Sequence, residues 1–238
     1  MKKKAVCLLS GGLDSTVTAY IAKNDGYDIY PLSFLYGQRH KKEIQTARLT
    51  GKELTKNKHV FFTLDLSQFG GSSLFESNDA TIQDVNTIED VGKEIPSTYV
   101  PARNTVFLSI ALAYAETIDA SAIFIGVTAA DYSGYPDCRP EYINAYQQMA
   151  NIATKKGVEQ GSIHIETPLL HLSKAQIISQ GHTLKVPFEH TWSCYRGGKK
   201  ACGTCDSCLL RLKGFKEAGL IDPLTYQRTP SWYDQTSD

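Results

Sequence analysis

Apolar positions fall along this chain in two recurring patterns. Short runs of aliphatic and aromatic residues alternate with longer stretches in which apolar side chains return every three or four positions. The short runs Ala5–Leu9, Ile29–Leu35, Val60–Leu66, Ala122–Val127 and Ile163–Ile165 read as buried strands, bounded by turn residues and rich in β-branched or aromatic side chains. Between them, helical spacing starts at Asp14 with Val17, Tyr20 and Ile21, and Gly26 stands where a helix-ending glycine belongs. The same spacing marks helices over 41–55 (Ile44, Ala47, Gly51, Leu54), 104–117 (Phe107, Ile110, Ala111, Tyr114), 141–156, 173–180 and 209–218.

Regular alternation of strand and helix through the first 180 residues implies crossover connections. The expected fold is a doubly wound α/β domain with a mostly parallel five-stranded sheet and helices on both faces. Ligands of such sheets sit beyond the carboxyl ends of the strands, so the loops after strands are where chemistry is sought. Residues 1–186 are expected to form this domain, 187–228 a cysteine-rich segment packed on it, and 229–238 a tail. The polar stretch Ser67–Ser97 is longer than an ordinary connection and reads as a surface insertion or a lid.

Composition narrows the function classes. With 238 residues, 42% hydrophobic and 21% charged, the chain is an ordinary globular sequence, not a fibrous or disordered one. Its 25 basic and 25 acidic residues cancel, which argues against a polyanion as the main partner. No run approaches a membrane span, and the apolar stretch after Lys2-Lys3-Lys4 stops at Ser10, too soon for a signal peptide. A cytoplasmic location is therefore expected, where thiols stay reduced. The six cysteines must then serve as core residues, metal ligands or catalysts.

The first strand runs straight into Ser10-Gly11-Gly12-Leu13-Asp14-Ser15 and then a helix. Two glycines allow a tight turn and close approach of backbone to ligand. The helix end adds unpaired amides and the positive end of its dipole, a ready phosphate site. No Gly-Lys-Ser/Thr follows, so this is not a Walker A loop. Further on, Pro101-Ala102-Arg103-Asn104 opens a helix with an amide suited to capping. Its cation is one that a helix N-terminus disfavours, and so one with an anion to meet. The stretch 126–141 places three carboxylates and two tyrosines at the ligand end of the sheet, suited to a ring edge that donates hydrogen bonds.

Cys194, Cys202, Cys205 and Cys208 lie within fifteen residues at spacing C-x7-C-x2-C-x2-C. Four thiolates in reach of one another match a closed tetrahedral zinc site with a structural role. An iron–sulfur centre is the rival, weakened because no x3-Cys-Pro follows. Cys7, within the first strand, reads as a small core residue. Cys138 sits in a loop with no identifiable base to make it a nucleophile.

The string Ser-Gly-Gly-x-Asp-Ser resembles the PP-loop of ATP pyrophosphatases, which cleave ATP between the α and β phosphates. That resemblance implies a nucleotide lining drawn from Leu8, Leu9, Ser10, Gly11, Gly12, Leu13, Asp14, Ser15, Thr16, Val17 and Thr18. Leu35 and Tyr36 would lie near the adenine, and Lys174, behind Ser173 at a helix start, near the phosphates. His40 balances between surface and functional roles. Together with Tyr99–Asn104, the stretch 131–139 and the four cysteines, these strings resemble the QueC family of 7-cyano-7-deazaguanine synthases. The departure from that pattern is Ala102, where glycine is expected.

The resemblance implies an ATP- and magnesium-dependent ligase of queuosine biosynthesis. Its substrates would be 7-carboxy-7-deazaguanine and ammonia, its products the nitrile, AMP and pyrophosphate, and its assembly a homodimer with one structural zinc per chain. Arg103, Asn104, Asp131, Tyr135, Asp137 and Arg139 would contact the substrate. Ser10, Asp14, Ser15 and Arg103 would position the reacting groups without a covalent nucleophile. A tRNA-sulfurating PP-loop enzyme and a non-catalytic ATP-binding module stand as alternatives.

Overall fold

A computed structural model describes residues 2–38, 42–75, 95–129, 135–159 and 161–233. The five strands are β1 (Lys4–Leu8), β2 (Asp28–Leu35), β3 (Val60–Thr63), β4 (Ala122–Phe124) and β5 (His164–Glu166). They form one parallel sheet in the order β3-β2-β1-β4-β5. The helices are α1 (Leu13–Asn24), α2 (Lys42–Leu54), α3 (Arg103–Thr117), α4 (Pro140–Ala153), α5 (Lys155–Glu159), α6 (Lys174–Thr183) and α7 (Asp206–Glu217). The expected α/β architecture is the one observed.

The pleat of β1 explains the layering. Val6 and Leu8 point to one face, where they pack with Phe34, Leu108, Ala111 and Ile143, while Ala5, Cys7 and Leu9 join Ala22, Ala47 and Leu54 on the other. Small residues on α1 and α2 let those helices lie close to the sheet. Cys7 is part of this core, and burial pushes its thiol pKa up. A third cluster joins α1 to α6 and α7 through Leu13, Val17, Ile177, Ile178 and Phe215.

Several elements end elsewhere than the periodicity predicts. The strand expected to reach Leu66 stops at Thr63, because Asp65 accepts the Ser67 N–H at 3.1 Å and turns the chain into a short 3₁₀ helix. The strand expected to reach Val127 leaves the sheet after Phe124, and its continuation walls a cavity. The helix expected over 141–156 breaks at Thr154, which is extended (φ −119°, ψ 147°). Thr154 Oγ1 accepts the Gly157 N–H at 3.0 Å and so starts α5. The final helix begins three residues early, at Asp206, directly after Cys205. Most of the polar insertion, together with His40, lies outside the described residues.

The strand order reverses between β1 and β4: the crossover from β1 runs outward to β2, and the chain later returns to the other side of β1. Such a reversal opens a crevice at the carboxyl ends of the two strands.

Candidate active site

The loop after β1 lies at that crevice. Gly11 has φ +87°, and a Cβ there would fall 2.1 Å from Glu43 O and 2.3 Å from Thr46 Oγ1, so only glycine fits against α2. The loop is braced internally: Gly12 N–H donates to Ser10 Oγ at 3.2 Å, and Ser10 N–H to Ser15 Oγ at 3.2 Å. Ser15 Oγ in turn donates to Gly12 O at 3.1 Å. Gly126, just past β4, would bring a Cβ within 2.9 Å of the Asp14 backbone, so a second glycine lets the β4 exit press against the first turn of α1.

A cavity of about 320 Å³ occupies the crevice. Its floor is apolar, formed by Leu8, Leu32, Phe34, Phe107, Ile125 and Val127. Phe34 and Phe107 stack with ring centroids 3.9 Å apart at 3°. Its rim carries Ser10, Gly12, Asp14 and Ser15 from the loop, Glu43 from α2, Arg103 from α3, Lys174 from α6 and Asp206 from α7. Lys174 Nζ lies 2.6 and 2.7 Å from the two carboxylate oxygens of Asp14. Lys174 opens a helix, a poor place for a cation, and this carboxylate offsets that cost. The Arg103 guanidinium sits 5.9 Å from the centroids of both Tyr36 and Phe107. Burial pushes the Glu43 carboxyl up to about 7 against the pull of Arg103.

Cys194, Cys202, Cys205 and Cys208 are all buried, with their Sγ atoms within 4.8 Å of one another. A tetrahedral metal with metal–sulfur bonds of about 2.3 Å separates its sulfurs by about 3.8 Å, and Cys202 Sγ and Cys208 Sγ are 3.8 Å apart. Backbone N–H groups of Cys202, Thr204 and Cys205 point at cluster sulfurs at 3.3–3.5 Å, a pattern that stabilises thiolates. Hydrogen bonds from the Cys194, Cys205 and Cys208 thiols hold Cys202 well below an ordinary thiol pKa. The donor set fits a metal ion.

The site thus gathers Leu8, Leu9, Ser10, Gly12, Leu13, Asp14, Ser15, Tyr36, Arg103, Asn104, Tyr135 and Lys174 around one cavity. Gly11 braces the loop from behind. Thr16, Val17 and Thr18 are buried within α1, and Leu35 ends β2 outside the lining. Asp137 lies under the N-terminus of α3, accepting the Asn104 N–H at 2.9 Å, while Asn104 Nδ2 donates to Asp137 O at 3.3 Å. Arg139 is exposed and precedes α4. Asp131 falls outside the described residues. Sequence reasoning missed Glu43, Trp192, Tyr195 and Asp206, and met Gly126 only as the first residue of the stretch 126–141. Of these, only Gly126 carried a local signal, as a glycine at a strand exit.

A parallel α/β sheet with a braced Ser-Gly-Gly loop at its switch point, beside a buried four-cysteine cluster, defines an α/β protein whose loop suits a phosphate and whose cysteines suit a metal ion. The family model described as "Queuosine biosynthesis protein QueC" matches residues 4–219, and the chain belongs to that family. A 7-cyano-7-deazaguanine synthase from Geobacter sp. (strain M21) is 54% identical over 96% of this chain and 100% of its own length. One from Thermoplasma volcanium is 51% identical over 99% of this chain and 95% of its own. Among solved structures, NMN synthetase from Francisella tularensis is 16% identical with a TM-score of 0.48, covering 98% of this chain and 81% of that one. Among the described residues, no helix is long and apolar enough to cross a membrane.

Proposed function

We propose that this chain is an ATP-dependent carbon–nitrogen ligase that converts 7-carboxy-7-deazaguanine and ammonia into 7-cyano-7-deazaguanine. The observation that carries the proposal is end-to-end membership of a family whose curated relatives bear that enzyme's name. In the proposed sequence, a substrate carboxylate oxygen attacks the α-phosphorus of ATP and pyrophosphate leaves. Ammonia then adds to the acyl adenylate, and AMP and a proton depart to give the amide. The amide oxygen attacks a second ATP, pyrophosphate leaves, and loss of AMP and a proton gives the nitrile.

The loop supplies backbone and hydroxyl donors where pyrophosphate charge develops, and Lys174 supplies a cation. Magnesium arriving with ATP would offset phosphate charge. The pairing of Asp14 with Lys174 supports an orienting role for Asp14. Arg103, which lines the cavity together with Tyr135, would meet the substrate carboxylate. Glu43 and Asp206 add carboxylates suited to the donor edge of a guanine-like ring. In this reading, Asn104, Asp137 and Arg139 shape that end of the site, and Asp131, outside the described residues, is proposed as a substrate contact on the family resemblance alone.

Burial, with Asp137 adding to it, pushes the Cys138 thiol up to about 12, which supports chemistry by alignment and not by a covalent nucleophile. Zinc is the metal proposed for the four cysteines, with a structural role and no open position for water. The assembly proposed is a homodimer.

The test is the product mass and the AMP count from metal-loaded protein with ATP, magnesium, ammonium and 7-carboxy-7-deazaguanine. Nitrile with two AMP per turnover is expected. Pyrophosphate release without nitrile would return the substrate to the unknown.

A further inference from the structure

The phosphate loop and the cysteine cluster share a wall. Residues 191–194 form a strap whose Trp192 and Ser193 line the cavity, and Trp192 N–H donates to Gly11 O at 2.9 Å. A peptide unit is planar, so pinning Gly11 O also fixes the direction of the Gly12 N–H, which braces Ser10. Trp192 is itself held on three sides. The residue is only 3% exposed, and its Nε1–H donates to Cys194 O at 2.8 Å. Lys42 Nζ stands 3.3 Å from its ring centroid. That same ammonium donates at 2.9 Å to Gly198 O and Lys199 O, in the loop joining Cys194 to Cys202.

Either side of Trp192, the strap is anchored to the buried Arg211, which donates to Thr191 Oγ1 at 2.7 Å and to Ser193 Oγ at 3.4 Å. Arg211 is locked in turn by two bonds to Asp222. The path from the loop's glycine to a cluster cysteine therefore runs through two residues, the buried Trp192 and the half-buried Ser193.

We infer that Trp192 is a positioning residue for the phosphate loop, and that the strap 191–194 links the state of the four-cysteine site to nucleotide affinity. The inference rests on the reading that this loop holds nucleotide phosphates. It gives the cysteine site a role beyond holding the C-terminal segment in place. Linkage makes the effect reciprocal: whatever the ordered cluster adds to ATP binding, bound ATP returns as metal retention.

The test uses the full metal-loaded chain, with magnesium–ATP binding measured by calorimetry and metal content by elemental analysis. W192A is expected to weaken ATP by between about 5- and 150-fold, the usual range of such coupling, with metal retained. W192F keeps the ring over Lys42 but loses the Nε1 donor, and falls between. K42M weakens ATP although Lys42 does not line the cavity. In steady state, KM for ATP rises more than KM for ammonium.

Of the two tryptophans, Trp232 is removed by W232F, so that Trp192 emission alone reports. It is expected to shift on adding pyrophosphate, and pyrophosphate is expected to slow extraction of the metal by a chelator. Wild-type ATP affinity in metal-loaded W192A overturns the inference. Should W192A lose its metal, unchanged affinity in K42M with silent Trp192 emission overturns it equally. A wild-type protein that binds no ATP fails a different claim, the nucleotide reading of the loop, and takes this inference with it.

Discussion

Asp14 and Lys174, 160 residues apart in sequence, meet through two contacts of 2.6 and 2.7 Å at the mouth of the cavity. The pair ties the first turn of α1 to the first turn of α6 and keeps an ammonium beside the Ser-Gly-Gly loop. Replacing Lys174 by Met removes that cation while leaving the helix, whose capping box is formed by Ser173 and Gln176. K174M is expected to keep its melting temperature within a few degrees and to lose about 10²-fold in kcat, the scale of a lost charge-stabilising donor. Unchanged kcat would remove Lys174 from the chemistry.

Gly11 and Gly26 share the same φ of +87°, yet only Gly11 is crowded, since a Cβ at Gly26 meets nothing within 4 Å. G26A therefore isolates the cost of the left-handed backbone, about 1 kcal/mol. G11A adds a clash with Glu43 O and is expected to cost at least about 2 kcal/mol more and to abolish ATP binding. Urea unfolding of the two variants checks the difference, and equal midpoints would contradict the packing of the loop on α2.

The Glu43 carboxyl is raised from 4.5 to about 7, so between those values the folded chain binds a proton more tightly than the unfolded one. Its contribution to stability therefore falls as pH rises from about 4.5 to about 7 and is level above that. E43Q should flatten this part of the pH–stability curve and stabilise the protein at pH 8 by up to about 3 kcal/mol, while lowering activity. Parallel curves for the two proteins would show that Glu43 titrates normally.

Ala102 precedes α3 with φ 52° and ψ 24°, a left-handed conformation that costs an L-residue about 1–2 kcal/mol. The glycine expected from the family pattern thus has a conformational reason. A102G is expected to gain up to about 1 kcal/mol in thermal unfolding with unchanged activity, and a loss of stability would contradict the backbone assignment.

The alternation of short apolar runs with helical periods was sufficient to establish the sheet and its helices, because each element buries a face by its own local pattern. Strand ends were less legible. Nothing in Val60–Leu66 says that Asp65 will turn the chain, and nothing in Ala122–Val127 says that the last residues will wall a cavity. The loop Ser10–Ser15 was readable because its chemistry is contiguous, as was the four-cysteine cluster. Glu43, Trp192, Tyr195 and Asp206 were not, since they reach the cavity only when α2 and the cysteine-rich segment fold over it. The pairing of Asp137 with the Asn104 N–H was equally hidden, being a contact between residues 33 positions apart.

The proposed reaction consists of two successive adenylations that begin from one carboxyl group. The direct measurement is the mass of AMP released from metal-loaded protein supplied with substrate carrying ¹⁸O at both carboxylate oxygens. Two AMP per nitrile, each with one ¹⁸O, is the predicted result, because each carboxylate oxygen leaves on its own AMP. Unlabelled AMP, or label carried into pyrophosphate, would contradict attack at the α-phosphorus and with it the proposed reaction.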